Sequence, residues 1–153
     1  MKTTSIFRSV LLVVVGGSLL FWALRERPAA DTGRVDPAAV AAAKVVVTYF
    51  TTDVRCDSCR TIEALSRRAV TEGFPAELAS GALVFRVVNT DREENAHFVD
   101  HYEIANKTVI VSRQRDGAEV EWVSRQDVWL YLEEPETFLD YVRTPIRDYL
   151  GRS

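Results

Sequence analysis

The stretch Val45-Val46-Val47-Thr48-Tyr49-Phe50-Thr51-Thr52-Asp53-Val54-Arg55-Cys56-Asp57-Ser58-Cys59-Arg60-Thr61-Ile62-Glu63-Ala64-Leu65 decides how the chain is read. It sets the two cysteines of the protein three residues apart, after an apolar run and at the mouth of a helical pattern. That order is a strand, a loop and a helix N-terminus. Cys59, Ile62, Leu65, Ala69 and Val70 recur at helical spacing and form an apolar face, whereas Arg60, Arg67 and Arg68 point elsewhere. Cys59 is therefore expected to face inward and Cys56 outward.

This placement has chemical consequences. Unpaired backbone N–H groups at a helix N-terminus act like roughly half a positive charge, which favours a thiolate over a thiol at the first cysteine. A thiolate attacks disulfides and a thiol hardly does. One turn later, the second sulfur is close enough to close a disulfide with the first and is shielded from other reagents. Cys56 would attack and Cys59 would resolve, with Arg55, Asp57 and Ser58 tuning the pair from either side. Asp57 sets a negative charge beside Cys56 that opposes a second anion, and Arg55 and Arg60 offset part of it. Two other uses of C-x-x-C compete with this reading: half of a zinc site, which needs four ligands, and a purely structural disulfide.

A chain of 153 residues supports one domain with a core of its own plus a tail. The net charge of −3 is unevenly spread, because Lys2, Arg8, Arg25 and Arg27 against Glu26 leave the remainder more acidic than the total. No basic stripe interleaved with aromatics is present, which argues against nucleic acid as a partner. No cofactor motif is visible.

Between Arg8 and Arg25 lie sixteen uncharged residues, Ser9 to Leu24. As a helix they would be roughly 24 Å long, short for a hydrocarbon core of about 30 Å unless Ile6, Phe7 and snorkelling arginines extend them. A cleaved signal peptide is the rival, but Pro28-Ala29-Ala30 is a poor cleavage site after Arg25-Glu26-Arg27. Residues 1–27 are read as an uncleaved membrane anchor with the N-terminus inside, and residues 28–43 as a tether holding a short helix from Pro37 through the alanines. Residues 44–150 are the domain, placed in the periplasm or outside the cell on a bacterial cytoplasmic membrane.

Within the domain, Glu72-Gly73-Phe74-Pro75 ends the cysteine helix and Ala82 to Val88 forms a second strand, apolar on both faces like the first. Both read as central parallel strands joined by a helical crossover. Thr90-Asp91-Arg92-Glu93 has the pattern of a capping box opening a helix through Tyr102, with Phe98, Val99 and Tyr102 as its apolar face. Thr108–Val111 and Val120–Val123 flank Asp116-Gly117, a hairpin signal, the second strand alternating like a sheet edge. Asp127 to Leu150 reads as helix interrupted near Pro135 and bent at Pro145, with Trp129, Leu130, Leu132, Phe138, Tyr141, Val142, Ile146 and Tyr149 buried.

The order β-α-β-α-β-β-α, with C-x-x-C at the start of the first helix, resembles the thioredoxin superfamily over about residues 44–150. The resemblance implies an α/β three-layer sandwich, here behind an N-terminal membrane-anchor helix, with Cys56 and Cys59 as the redox pair and a protein thiol or disulfide as substrate. More narrowly, Cys56 to Glu63, Asn95-Ala96-His97-Phe98 and Tyr141-Val142-Arg143 look like a small bacterial family labelled nitrophenyl-compound nitroreductase ArsF-type subunits. Only fold and redox pair are carried over from it. Thioredoxins hold a cis-proline just before the third strand, whereas Asn106-Lys107-Thr108-Val109 stands there in this chain, Thr108 replacing the proline. The charged residue usually buried under the first strand is also missing, with Thr48 or Tyr49 nearest.

The leading expectation is a membrane-tethered thiol-disulfide oxidoreductase acting on an exported protein. A metal-binding or metal-delivery module would use Cys56 and Cys59 with His97 and His101, the only two histidines, which stand one turn apart on one helix. A third reading is a non-catalytic subunit using the same scaffold for contacts alone.

Overall fold

The computed structural model describes residues 36–152. The expected anchor over 1–27 and the first part of the tether lie outside these residues. Asp36 caps a short helix, α1 (Pro37–Ala42), by accepting the Ala38 N–H at 2.8 Å, and Pro37 fills the first helical position, where a missing N–H costs nothing.

Strand β1 (Val45–Thr51) is buried at every position, because it lies inside the sheet and is covered on both faces. β1 pairs in parallel with β2 (Leu83–Asn89) and antiparallel with β3 (Thr108–Arg115), which in turn pairs antiparallel with β4 (Ala118–Ser124). The sheet order is β2-β1-β3-β4. β2 is thus an edge strand, not the central one expected from its apolar run. Apolarity on both faces reports that helices cover both faces, and it is silent on whether a strand lies alongside.

Side-chain alternation divides the core into two layers. Val45, Val47 and Tyr49 of β1, with Val109 and Val111 of β3, pack against helix α2 (Asp57–Gly73) and the last helix, α5 (Pro135–Gly151), through Ile62, Ala69, Val70, Phe138, Val142 and Ile146. Each of these valine, isoleucine and phenylalanine side chains contributes on the order of 1.5–3 kcal/mol by leaving water. On the other face, Val46 meets Ala43 beside α1, while Phe50 and Ile110 meet Tyr102 and Phe98. The result is a three-layer α/β sandwich.

Several local expectations are corrected. After α2 the chain forms a further short helix, α3 (Pro75–Ser80), closed by Gly81 in the left-handed conformation at φ 75°. The segment after β2 is a 3-10 turn, Glu93–Asn95, followed by α4 (His97–His101), and no side chain caps either. Thr90 does not cap because its hydroxyl donates to the Thr51 carbonyl at 3.1 Å, tying the ends of β1 and β2. The tail begins as a 3-10 turn, Gln126–Tyr131, whose three-residue repeat puts Val128 inside and leaves Leu130 72% exposed, against its expected burial. Leu139, passed over in the sequence, is buried as well. The Asp116-Gly117 turn is as expected, with φ 54° and 78° at the two positions. No helix among the described residues is long and apolar enough to cross a membrane.

Candidate redox site

β1 delivers the chain to the C-terminal edge of the sheet, and the loop that follows is fastened before it reaches the cysteines. Asp53 is the fastening point. Its carboxylate accepts from Asn89 Nδ2 at 2.7 Å and from Arg92 at 3.3 Å, while its N–H donates to Asp91 Oδ2 at 2.8 Å. Asn95 Nδ2 in turn donates to the Asn89 carbonyl at 2.8 Å. The sequence offered no sign of this web, since its partners are 36 to 39 residues from Asp53 and meet only through the parallel pairing of β1 with β2.

Cys56 is the N-cap of α2, and its Sγ accepts the backbone N–H of Cys59 at 3.2 Å. One orphan donor of the helix start is thereby aimed at the sulfur. Cys56 and Cys59 are joined in a disulfide with their Cα atoms 5.0 Å apart. Cys59 is fully buried and Cys56 is exposed, the two orientations read from the helical spacing. Only an incoming group that reaches Cys56 from solvent has access to this bond.

Beneath the disulfide, the Tyr49 hydroxyl donates to the Cys59 carbonyl at 2.9 Å. Burial pushes the Tyr49 phenol above its ordinary range, so it remains a donor at neutral pH. Around the rim, Arg55 pairs with Glu63 one and a half turns into α2, and Arg60 reaches Asp57 at 3.4 Å. The Asp57 side chain is fully solvated and Ser58 is half-buried. Arg55 thus spends its charge on Glu63, leaving Arg60 as the cation paired with Asp57, a division of labour that the sequence did not show.

Thr108 opens β3 opposite Phe50 and is buried, its hydroxyl within 3.4 Å of Ser124 Oγ. No peptide bond among the described residues is cis. His97 and His101 sit on α4, against the face of the sheet opposite α2, and His101 Nε2 lies 2.8 Å from Glu119 Oε1. The four residues of the alternative metal set are therefore kept apart by the sheet. Among the described residues no three or more His, Cys, Asp and Glu side chains gather as a metal group.

Fold and site together define a thioredoxin-like α/β domain with a C-x-x-C disulfide at the N-terminus of its first sheet-packed helix. Human ERp44, form I, aligns over 78% of this chain and 30% of its own, with 19% identity and a TM-score of 0.50. Thioredoxin from Trypanosoma brucei brucei aligns over 80% and 99%, with 21% identity and a TM-score of 0.44. A mutant thioredoxin from Halobacterium salinarum aligns over 76% and 84%, with 18% identity and a TM-score of 0.45. The likeness is one of fold, and the chain spans less than a third of ERp44. No family model and no curated protein matches the chain, so the narrower likeness to ArsF-type subunits gains no support from either.

Proposed function

We propose that this protein is a thiol-disulfide oxidoreductase whose Cys56–Cys59 pair exchanges with a thiol or disulfide of a protein partner. The observation that carries the reading is the pairing of an exposed Cys56, capping a 17-residue helix, with a fully buried Cys59 across a disulfide. From the oxidised state, a partner thiolate attacks Cys56 Sγ, the Cys56–Cys59 bond breaks and Cys59 leaves as a thiolate. A second partner thiolate then attacks the partner sulfur of the mixed disulfide and expels Cys56. Two electrons pass from the partner dithiol to the pair, and the two protons lost by the partner's thiols end on Cys56 and Cys59. The reverse reaction starts with Cys56 attacking a partner disulfide and ends with Cys59 resolving it. In both directions the Cys59 N–H stabilises charge on Cys56 Sγ, as a charge-assisted bond does.

Residues 1–27 would anchor the domain to the cytoplasmic membrane, with the domain on its outer side. The uncharged run Ser9 to Leu24 and the poor cleavage site that follows support this, and disulfide exchange suits an exported compartment. Alkylation and mass spectrometry in graded glutathione buffers test the chemistry. A single two-electron transition shared by Cys56 and Cys59 is expected, and a pair that never interconverts would rule it out. Fractionation tests the placement, with the full chain expected in the membrane fraction and a soluble product starting near Asp31 counting against an anchor.

A further inference from the structure

We infer that the arginine-lined groove along α2 receives an acidic segment of the protein whose sulfur exchanges with Cys56. This rests on the redox reading and names the chemistry of its partner. The groove has a volume of about 460 Å³, and its charged lining is Arg55, Arg60, Arg67 and Arg68 against Glu63 alone. Such a lining contrasts with a chain whose net charge is −3.

Its position follows from helix geometry. Arg60, Ala64, Arg67, Arg68 and Thr71 recur every three or four residues and so share one side of α2, and Arg55 adds to the row from the loop before Cys56. From Arg60 to Thr71 the row runs roughly 16 Å at 1.5 Å per residue. An extended chain covers that span in about five residues. A partner strand whose cysteine stands at Cys56 would therefore lay its next few side chains over the arginines.

Arg60, Arg67 and Arg68 hold their present partners loosely, whereas Arg55 is committed to the half-buried Glu63. Glu63 is divided between Arg55 and Arg67, the latter at 3.5 Å. Arg60 meets the solvated Asp57 at 3.4 Å, and Arg68 meets Glu72 at 3.0 Å and Glu136 at 3.3 Å. Asp57, Glu72 and Glu136 do not line the groove. Exposed pairs of this kind are weak, so carboxylates of an incoming segment can replace them, and the guanidinium fork suits a carboxylate better than an ammonium would. Arg67 is also propped over the Phe85 ring, its Cζ 4.9 Å from the centroid, which holds its charge toward the groove at low entropic cost.

The test uses the full chain and two nine-residue peptides identical except that four residues after the cysteine are glutamate in one and lysine in the other. Binding to the oxidised protein is read by fluorescence anisotropy on cysteine-to-serine versions, and exchange is read as the second-order rate at which the reduced protein attacks disulfide-linked versions. The glutamate peptide is expected to bind and exchange about tenfold better at low salt, with the preference shrinking as salt rises. In the double variant Arg67→Glu, Arg68→Glu the preference should turn toward the lysine peptide, a gain that a misfolded variant could not produce. Equal binding and equal rates for the two peptides, or a preference the double variant leaves unchanged, would overturn the groove. Selective binding without any exchange would uphold the groove and overturn the redox reading instead.

Discussion

The Tyr49 hydroxyl donates to the backbone carbonyl of Cys59, 2.9 Å away and shielded from solvent. A phenol in the central strand thereby anchors the first turn of the helix that carries the disulfide. Because the bond goes to the carbonyl and not to sulfur, its worth is the same whether the pair is oxidised or reduced. Tyr49→Phe is expected to lower stability by about 1 kcal/mol in urea titrations of both redox forms. The redox potential should move by less than about 10 mV, given that about 30 mV corresponds to 1.4 kcal/mol of difference between the forms. A shift beyond about 30 mV would show that the hydroxyl acts on the sulfurs.

Asp57 is the acidic residue in the first turn of α2, beside Cys56 and, among the described residues, answered only by Arg60 at 3.4 Å. Its charge opposes an anion on Cys56, and its full solvation limits how far it does so. Replacing it with histidine removes a like charge, stabilises the Cys56 thiolate and thus the reduced pair. The disulfide of Asp57→His should be more oxidising by on the order of 10–20 mV. Equilibration with glutathione measures both proteins. No change, or a shift toward reducing values, would mean that backbone dipoles alone set the poise.

Much of the architecture could be read from the residues, and the limits of that reading have physical causes. The C-x-x-C pair, its strand and its helix were legible because apolar runs and helical spacing are local. So was the hairpin, since Asp116-Gly117 names its own backbone conformation. The edge position of β2 was not, because burial on both faces looks alike in a central strand and in an edge strand under helices. Thr90 looked like a cap but spends its hydroxyl on Thr51, a partner on another strand. The Tyr49–Cys59 bond and the Asp53 web depend on register between elements, which no window of sequence contains. The arginine row was in view as the polar side of the cysteine helix, yet its pairing of two arginines with one Glu63 required the loop geometry of Arg55.

Burial raises the phenols of Tyr49, Tyr102, Tyr141 and Tyr149 above the ordinary tyrosine value, with the Glu119 hydrogen bond adding to the effect at Tyr102. The folded chain therefore keeps these protons at a pH where the unfolded chain gives them up. The stability they represent is complete below about pH 10, where unfolded tyrosine titrates, and is lost as pH climbs toward the folded-state values. Urea midpoints should be insensitive to tyrosine titration from pH 7 to 9 and fall steeply above about 10. Tyr102→Phe should make that fall shallower by up to about 1.4 kcal/mol per pH unit. An unchanged slope would place Tyr102 in water in the folded state.

Pro145 sits inside α5 and has no N–H to offer the Tyr141 carbonyl four residues earlier. Arg125 supplies the missing donor, its Nη2 lying 2.9 Å from that oxygen while its guanidinium stacks 3.3 Å from the Tyr141 ring centroid. Its own N–H holds the sheet end through the Val109 carbonyl at 2.8 Å, so one residue clasps the last helix to the strand that opens beside the redox site. Burial lowers the Arg125 guanidinium from its usual value, and its Nε has no partner among the described residues, so the clasp is held at a cost that its two contacts to Tyr141 must exceed. Arg125→Ala should destabilise the domain by about 2–3 kcal/mol, through a lost charge-assisted bond, a lost cation–π contact and an orphaned carbonyl. In Pro145→Ala the helix recovers its own donor, and Arg125→Ala in that background should cost about 1 kcal/mol less, a coupling that a double-mutant cycle reads directly. Additive effects would mean that water already satisfies the Tyr141 carbonyl and that Arg125 serves the fold only through its stacking.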